Sequence, residues 1–299
     1  MKGLCHAECD LAQVRKTIAR LRERYPALKT AVIGKSVGGR EITALQIGRA
    51  RSYVLYAGAF HGTERITAAL LLRYVEALLR AQASDSRLCG FSVEQLLSAH
   101  GLLVVPMVNP DGCDIAIHGA AGAGFSPIAL HAICDGDYTH YSANLRGVDI
   151  NHNFDAGWAE LHRKEQQAGI YAPAPRRYGG EKPMSEPETL AIAELCRKMP
   201  ISHAVAFHSQ GEVIYWDYGA HTPKNARKMA QAMAASSGYM LDQPDGIAVG
   251  GGFKDWFIEK LHRPAFTVEV GRGKNPLDPN AVDAIFDRLC EMMTLCLMM

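Results

Sequence analysis

Apolar positions along the chain switch between a helical and an extended period. Residues 10 to 24, "DLAQVRKTIARLRER", place Leu11, Val14, Ile18 and Leu21 on one helix face. Two short runs follow, "KTAVIGKS" and "REITALQIG", and Val37-Gly38-Gly39 between them predicts a turn joining two strands. "SYVLYAGAF" is apolar almost throughout, the pattern of a strand buried on both faces. "ERITAALLLRYVEALLRAQ" predicts a helix that passes from amphipathic to buried, and "GLLVVPMV" predicts another buried strand.

Residues 109 to 155 are rich in Gly, Asn, Asp and Ala and show little periodicity. An irregular segment of that length in a compact protein is usually functional. Beyond it, "SEPETLAIAELCRKM" predicts a helix with Ser185 as N-cap and Pro187 and Glu188 in its first turn. "HAVAFHS" and "PAFTVEV" read as strands, and "PKNARKMAQAMAASSG" and "DPNAVDAIFDRLCEMMTLCLMM" as helices. Strands alternating with helices predict an α/β fold with a largely parallel or mixed sheet. There is no internal repeat, low-complexity stretch or Pro/Gly/Ser linker. The expectation is one domain over residues 1–299, with residues 1–28 as a helical segment packed on it.

Composition narrows the class without changing it. The 299 residues are 48% hydrophobic and 21% charged, an ordinary globular balance. With 32 basic and 31 acidic residues the formal charge is +1, which argues against a nucleic-acid partner. The N-terminal "MKGLCHAECDLAQVRKTI" lacks the apolar core of a signal peptide. No stretch approaches the roughly 18 apolar residues of a spanning helix. These features predict a cytoplasmic protein with no membrane partner. Its 8 cysteines form no CxxC pair and read as free thiols.

Candidate chemistry collects where apolar strands end. In "AGAFHGTERI", His61 and Glu64 stand three residues apart at the exit of a buried strand. In open α/β sheets ligands bind at that edge. An imidazole and a carboxylate together suit a borderline cation such as Zn²⁺. The alternative is that His61 ends the strand and Glu64 serves the following helix dipole. "AVAFHSQGE" puts His208 at a second strand exit, and two His with one Glu make a catalytic zinc set with one open position. His118, His131 and His140 sit in the irregular region, His100 and His203 precede strands, and His6, His162, His221 and His262 read as solvated. "AFTVEVGRG" ends a third strand on Glu269, which is either a general base or the ion-pair partner of Arg272. "NLRGVDINHNF" offers Arg146 as a cation for a developing oxyanion, or simply as a loop arginine, beside the polar cluster Asn151, His152, Asn153.

In combination and order, "GAFHGTE", "NPDG", "LRGVDINHNF", "SEPET", "FHSQGE" and "FTVEVG" resemble the zinc carboxypeptidase (carboxypeptidase A-like) superfamily over about residues 30 to 272. The resemblance implies one Zn²⁺ ion held by His61, Glu64 and His208. It implies Glu269 as general base and acid and Arg146 as polariser of the scissile carbonyl. The fold it implies is an α/β/α sandwich around a mixed, mostly parallel eight-stranded sheet.

A narrower likeness lies in "HSQGEVIYW", "GGFKDWFIEKLHRPAFTVEVGRGKNP" and "LRGVDINHNF", which look like the bacterial γ-D-glutamyl-meso-diaminopimelate peptidases of that superfamily. This implies a small peptide substrate, a peptidoglycan stem peptide met as a recycled or imported muropeptide. Two departures bear on the choice. Asn151-His152-Asn153 stands where digestive carboxypeptidases have Asn-Arg-Asn, and imidazole cannot reproduce a bidentate grip on a terminal carboxylate. The family's mobile tyrosine falls near Ile247, and no residue is assigned its role. Lys254 falls at the specificity-pocket position, where it would meet a diaminopimelate carboxylate or lie on the surface beside Asp255. Asn151, His152 and Lys254 are the candidate substrate-binding residues. The alternatives are a zinc carboxypeptidase or N-acyl amino acid deacylase of the same superfamily and, in another class, a non-catalytic wall-peptide binding module.

Overall fold

The computed structural model describes residues 9–299. Cys5, His6 and the first part of the 1–28 segment therefore lie outside the described residues. The chain opens with α1 (Leu11–Arg24), capped by the Asp10 carboxylate, which accepts the Gln13 N–H at 2.7 Å. The predicted stripe of Leu11, Val14, Ile18 and Leu21 is the face it buries.

Next come β1 (Lys29–Lys35), β2 (Glu41–Ile47), β3 (Tyr53–Gly58) and α2 (Ile66–Ala83). A small hairpin of β4 (Arg87–Leu88) and β5 (Phe91–Ser92) precedes α3 (Val93–Ala99) and β6 (Gly101–Val105). Then follow α4 (Pro110–Gly122), α5 (Pro127–Cys134), α6 (Trp158–Gln167), α7 (Pro187–Lys198) and β7 (Ile201–His208). The chain closes with β8 (Val213–Tyr215), α8 (Ala226–Ser237), β9 (Met240–Asp242), α9 (Phe253–Leu261), β10 (Ala265–Glu269) and α10 (Val282–Cys296).

Eight strands form one mixed sheet in the order β1-β2-β6-β3-β7-β10-β8-β9. Its centre, β6-β3-β7-β10, is parallel, while β1, β2 and β8 enter by antiparallel pairing. Successive strand residues alternate between the two faces, and each face has its own core. Val54 and Tyr56 of β3 and Val205 and Phe207 of β7 pack with α1, α2, α8 and α10. Leu55 and Ala57, with Ala204 and Ala206, pack with α7 and α9. The result is the α/β/α sandwich implied by the resemblance. On the first face Tyr56 meets Phe207 and Tyr74 edge to face, at centroid separations of 5.4 and 5.9 Å.

The chain leaves β3 through α2 to reach β6 on one side, and later runs through α7 to reach β7 on the other. The end of β3 is thus a topological switch point, where the loops diverge and leave a crevice.

Three expectations change. Residues 109 to 155 are not irregular throughout, because Pro110 and Pro127 start α4 and α5. Gly119, at φ +66, breaks the helical geometry within α4 and so hides its periodicity. Ser185 is not the N-cap of α7; Glu186 occupies that position, and the Ser185 hydroxyl donates to Glu186 Oε1 at 2.8 Å. His203 does not precede a strand but lies within β7, its ring Nε2 3.0 Å from the Cys296 carbonyl oxygen. The cysteines are free thiols among the described residues. No helix among those residues is long and apolar enough to cross a membrane.

Candidate metal centre and active site

Three parallel strands deliver the site. After β3 the chain turns through a 3-10 turn, Gly62–Glu64, before α2 begins. Thr67 ties this corner: its hydroxyl accepts the Ala59 N–H at 2.7 Å and donates to the Glu64 carbonyl at 2.8 Å. The Asn109 amide, from the "NPDG" segment, donates to the Phe60 carbonyl at 3.1 Å. Only glycine fits at position 62, where a Cβ would lie 2.3 Å from the Gly112 carbonyl oxygen and 2.5 Å from that of Tyr141.

This corner places His61 and Glu64 against His208, the last residue of the neighbouring β7. Their nitrogen and oxygen atoms can be chosen so that all lie within 4.8 Å of one another, a group that could hold a metal ion. His61 Nδ1 lies 3.0 Å from Glu64 Oε1, His208 Nδ1 lies 3.0 Å from Glu64 Oε2, and the two Nδ1 atoms are 3.3 Å apart. Two imidazole nitrogens facing each other and one carboxylate is a donor set that a divalent cation satisfies and that two neutral rings do not. Buried His208 Nε2 has no hydrogen-bond partner, so Nδ1 is the atom through which this ring acts.

Charge supports the same fit. Burial pushes the Glu64 carboxyl up, but His61 and His208 outweigh it and hold it at about 2. Behind His61, Asp149 Oδ1 lies 3.0 Å from Nε2. Burial raises the Asp149 carboxyl as well, yet the His61 and His152 charges hold it well below the carboxylate range. A carboxylate on the far nitrogen fixes the tautomer and ring plane of a metal-binding histidine.

Glu269 ends β10 directly opposite His208 in the parallel register. Burial, reinforced by the Glu64 charge, raises its carboxyl well above the ordinary value, against the pull of His61. Arg272 does not pair with it; that guanidinium lies 2.8 Å from Glu212 Oε2. Glu269 lines a cavity of about 170 Å³ together with His61, His208, Asn151, His152 and Lys254. A second cavity, about 270 Å³, shares His61 and His152 with the first and is also lined by Glu64, Asp149, Arg176 and Arg177.

A model of the zinc carboxypeptidase family matches residues 14–288. The chain belongs to the zinc carboxypeptidase family. It is 34% identical over 279 residues to "Gamma-D-glutamyl-L-diamino acid endopeptidase 1" of Lysinibacillus sphaericus, covering 93% of this chain and 69% of that protein. It is 33% identical over 273 residues to the uncharacterized protein YqgT of Bacillus subtilis, covering 90% and 71%. Bovine thrombin-activatable fibrinolysis inhibitor shares the fold at TM-score 0.74 and 19% identity, over 98% of this chain and 97% of that one. The murein-tripeptide amidase MpaA of Escherichia coli O157 shares it at TM-score 0.55 and 21% identity, over 90% and 92%. The protein is therefore a zinc metallopeptidase, a hydrolase.

The peptidase does not bring every predicted residue to this centre. Arg146 is turned away: its N–H bonds Asn144 Oδ1 at 3.0 Å, and its guanidinium lies 3.6 Å from Glu186 Oε2 in a separate cavity. Lys254 is not a surface residue; its buried ammonium bonds Asp255 and, at 2.7 Å, the Asp217 carbonyl. The Asn151 side-chain oxygen accepts the Phe253 N–H at 3.0 Å, which leaves its amide donors for the cavity. His152 sits between the two cavities with Nδ1 2.7 Å from the buried Glu165 carboxylate. His162, expected in solvent, also faces Glu165, at 3.2 Å, and stacks on Trp158. His140, set aside with the irregular region, lines the larger cavity.

Several site residues escaped the sequence reading. Asp149 stood inside the quoted "GVDINHNF" without a role, although a carboxylate so near a predicted site was its signal. Tyr215 lines the Glu269 cavity from β8, a strand only three residues long. Arg176 and Arg177 lie in a loop with no periodicity to mark them.

Proposed function

We propose that the peptidase hydrolyses the γ-D-glutamyl-diaminopimelate amide bond of peptidoglycan stem peptides. The observation that carries the reaction is the shared cavity in which Glu269 faces His61 and His208. The likeness to the Lysinibacillus endopeptidase over 93% of the chain supports the substrate.

His61, Glu64 and His208 would hold the zinc ion, which when bound would lower the pKa of a water toward neutrality and polarise a carbonyl oxygen. Glu269 takes a proton from the attacking water and passes it to the amine nitrogen as the C–N bond breaks. Asp149 keeps the His61 ring in place while this happens. Arg146, paired with Glu186, has no part in these steps.

The leaving amine belongs on the Glu269 side, since that carboxyl delivers its proton. Diaminopimelate carries a carboxylate beside the scissile nitrogen and a zwitterion at its far end. Asn151 and His152 hold the near carboxylate. The Lys254–Asp255 pair, on the wall of the same cavity, complements the far zwitterion.

The test compares turnover of L-alanyl-γ-D-glutamyl-meso-diaminopimelate, N-acyl amino acids and an α-linked tripeptide by zinc-loaded enzyme. The proposal requires the first to lead in kcat/KM. A lead by the N-acyl amino acids would make the protein a deacylase, and a lead by the α-linked peptide would make it a carboxypeptidase.

A further inference from the structure

The cavity of about 270 Å³ beside the candidate metal ligands is lined by two arginines that the proposed chemistry does not use. Arg176 and Arg177 both line it, together with His61, Glu64 and His152. Both side chains are exposed, and no carboxylate among the described residues pairs with either. The carboxylates that share the cavity are engaged elsewhere. Glu64 faces two imidazoles, and Asp149 holds His61 and the backbone N–H groups of Asn151 and Arg177.

The segment bearing the two arginines is firmly seated. The Pro175 carbonyl accepts the N–H groups of Ser142 and Ala143 at 2.8 and 3.0 Å. The Arg177 N–H donates to Asp149 Oδ2 at 2.8 Å, and the Asp149 N–H donates to the Tyr178 carbonyl at 2.7 Å. Arg177 is held at φ +66, a left-handed conformation uncommon for a residue with a side chain. The carboxylate that orients His61 thus also fixes the loop that carries both arginines.

The two cavities meet at His61 and His152, and Glu269 lines only the smaller one. With the leaving amine on the Glu269 side, the acyl half of the substrate occupies the cavity with the arginines. In a γ-linked D-glutamyl residue the α-carboxylate is free and hangs from that acyl half, a short methylene chain from the scissile carbonyl. A planar guanidinium matches a carboxylate in shape and charge better than any other side chain.

We propose that Arg176 and Arg177 form an anion subsite for the free α-carboxylate of the γ-glutamyl residue, so that the peptidase distinguishes the acid from its amide. This inference rests on the proposed function and assigns substrate recognition on the acyl side.

The experiment measures kcat and KM for L-alanyl-γ-D-glutamyl-meso-diaminopimelate and for the same peptide with the glutamyl α-carboxylate amidated. Enzymes compared are wild type, R176A, R177A, the double alanine variant and the double lysine variant, with zinc content and circular dichroism checked for each. Wild type is expected to prefer the acid by about tenfold or more, chiefly through KM, the size of one charge-assisted pair. The double alanine variant should lose that preference by failing on the acid alone, and the double lysine variant should keep part of it. Equal turnover of acid and amide by wild type, or an undiminished preference in the double alanine variant, overturns the proposal. Failure of wild type on both peptides overturns the functional reading itself and this inference with it.

Discussion

His61 Nε2 lies 3.0 Å from Asp149 Oδ1, while the opposite ring nitrogen, Nδ1, faces Glu64 at 3.0 Å. One histidine thus links a buried carboxylate behind it to the carboxylate of the candidate metal group in front. Asp149→Asn keeps the bond to His61 but removes the charge and sets an amide donor against the Arg177 N–H. Zinc affinity should fall by about 10- to 100-fold. Competition with a chromogenic chelator measures this, with circular dichroism as the check on folding. Unchanged affinity would mean that Asp149 does not support the ligand.

Gly62 is where backbone meets backbone under the site. A methyl group there would lie 2.3 Å from the Gly112 carbonyl oxygen and has no side chain to displace. Gly62→Ala should destabilise the protein by about 1–3 kcal/mol, as overpacking does. Because the same turn carries His61 and Glu64, zinc affinity should drop alongside the thermal midpoint. A variant that matches wild type in both would show that this turn has slack.

Glu188 predicts a pH effect away from the metal. Burial pushes its carboxyl up from 4.5 to about 7, although it accepts hydrogen bonds from the Val37 N–H at 3.0 Å and the Asn144 amide at 3.2 Å. The folded protein therefore binds this proton more tightly than the unfolded chain does. Its contribution is fully present below about pH 4.5 and is lost as pH rises to about 7. Glu188→Gln removes that slope, so between pH 4.5 and 7.5 it should gain up to about 3 kcal/mol relative to wild type. Denaturant unfolding of both proteins at the two pH values reads the double difference. Parallel stability curves would place the raised carboxyl elsewhere.

The site was legible wherever an apolar strand ended abruptly on a polar residue. Strands buried on both faces tolerate few polar groups, so His61, Glu64, His208 and Glu269 stood out, and the structure brings all four together at one sheet edge. Arg146 was misplaced because sequence adjacency to the polar "DINHN" run says nothing about direction. The turn at Asn144–Gly147 sends its side chain to Glu186 instead.

Other elements left weak traces. Gly119 interrupts the period of α4, and β8 and β9 are three residues each, too short to alternate visibly. For Lys254 the sequence left a pocket and a surface position open, because a buried ammonium is recognised only by its partners, Asp255 and the Asp217 carbonyl, and the latter lies 37 residues away. Arg176 and Arg177 reach the cavity through backbone pairing between loops, which no local pattern encodes.

Mass spectrometry of L-alanyl-γ-D-glutamyl-meso-diaminopimelate, digested by wild type, by chelator-treated wild type and by Glu269→Gln, tests the central claim most directly. The account predicts free diaminopimelate and L-alanyl-D-glutamate from zinc-loaded wild type and none after chelation. It also predicts a rate about 10²- to 10⁴-fold lower for Glu269→Gln with zinc still bound. An intact tripeptide with zinc-loaded wild type, or undiminished cleavage by Glu269→Gln, would contradict it.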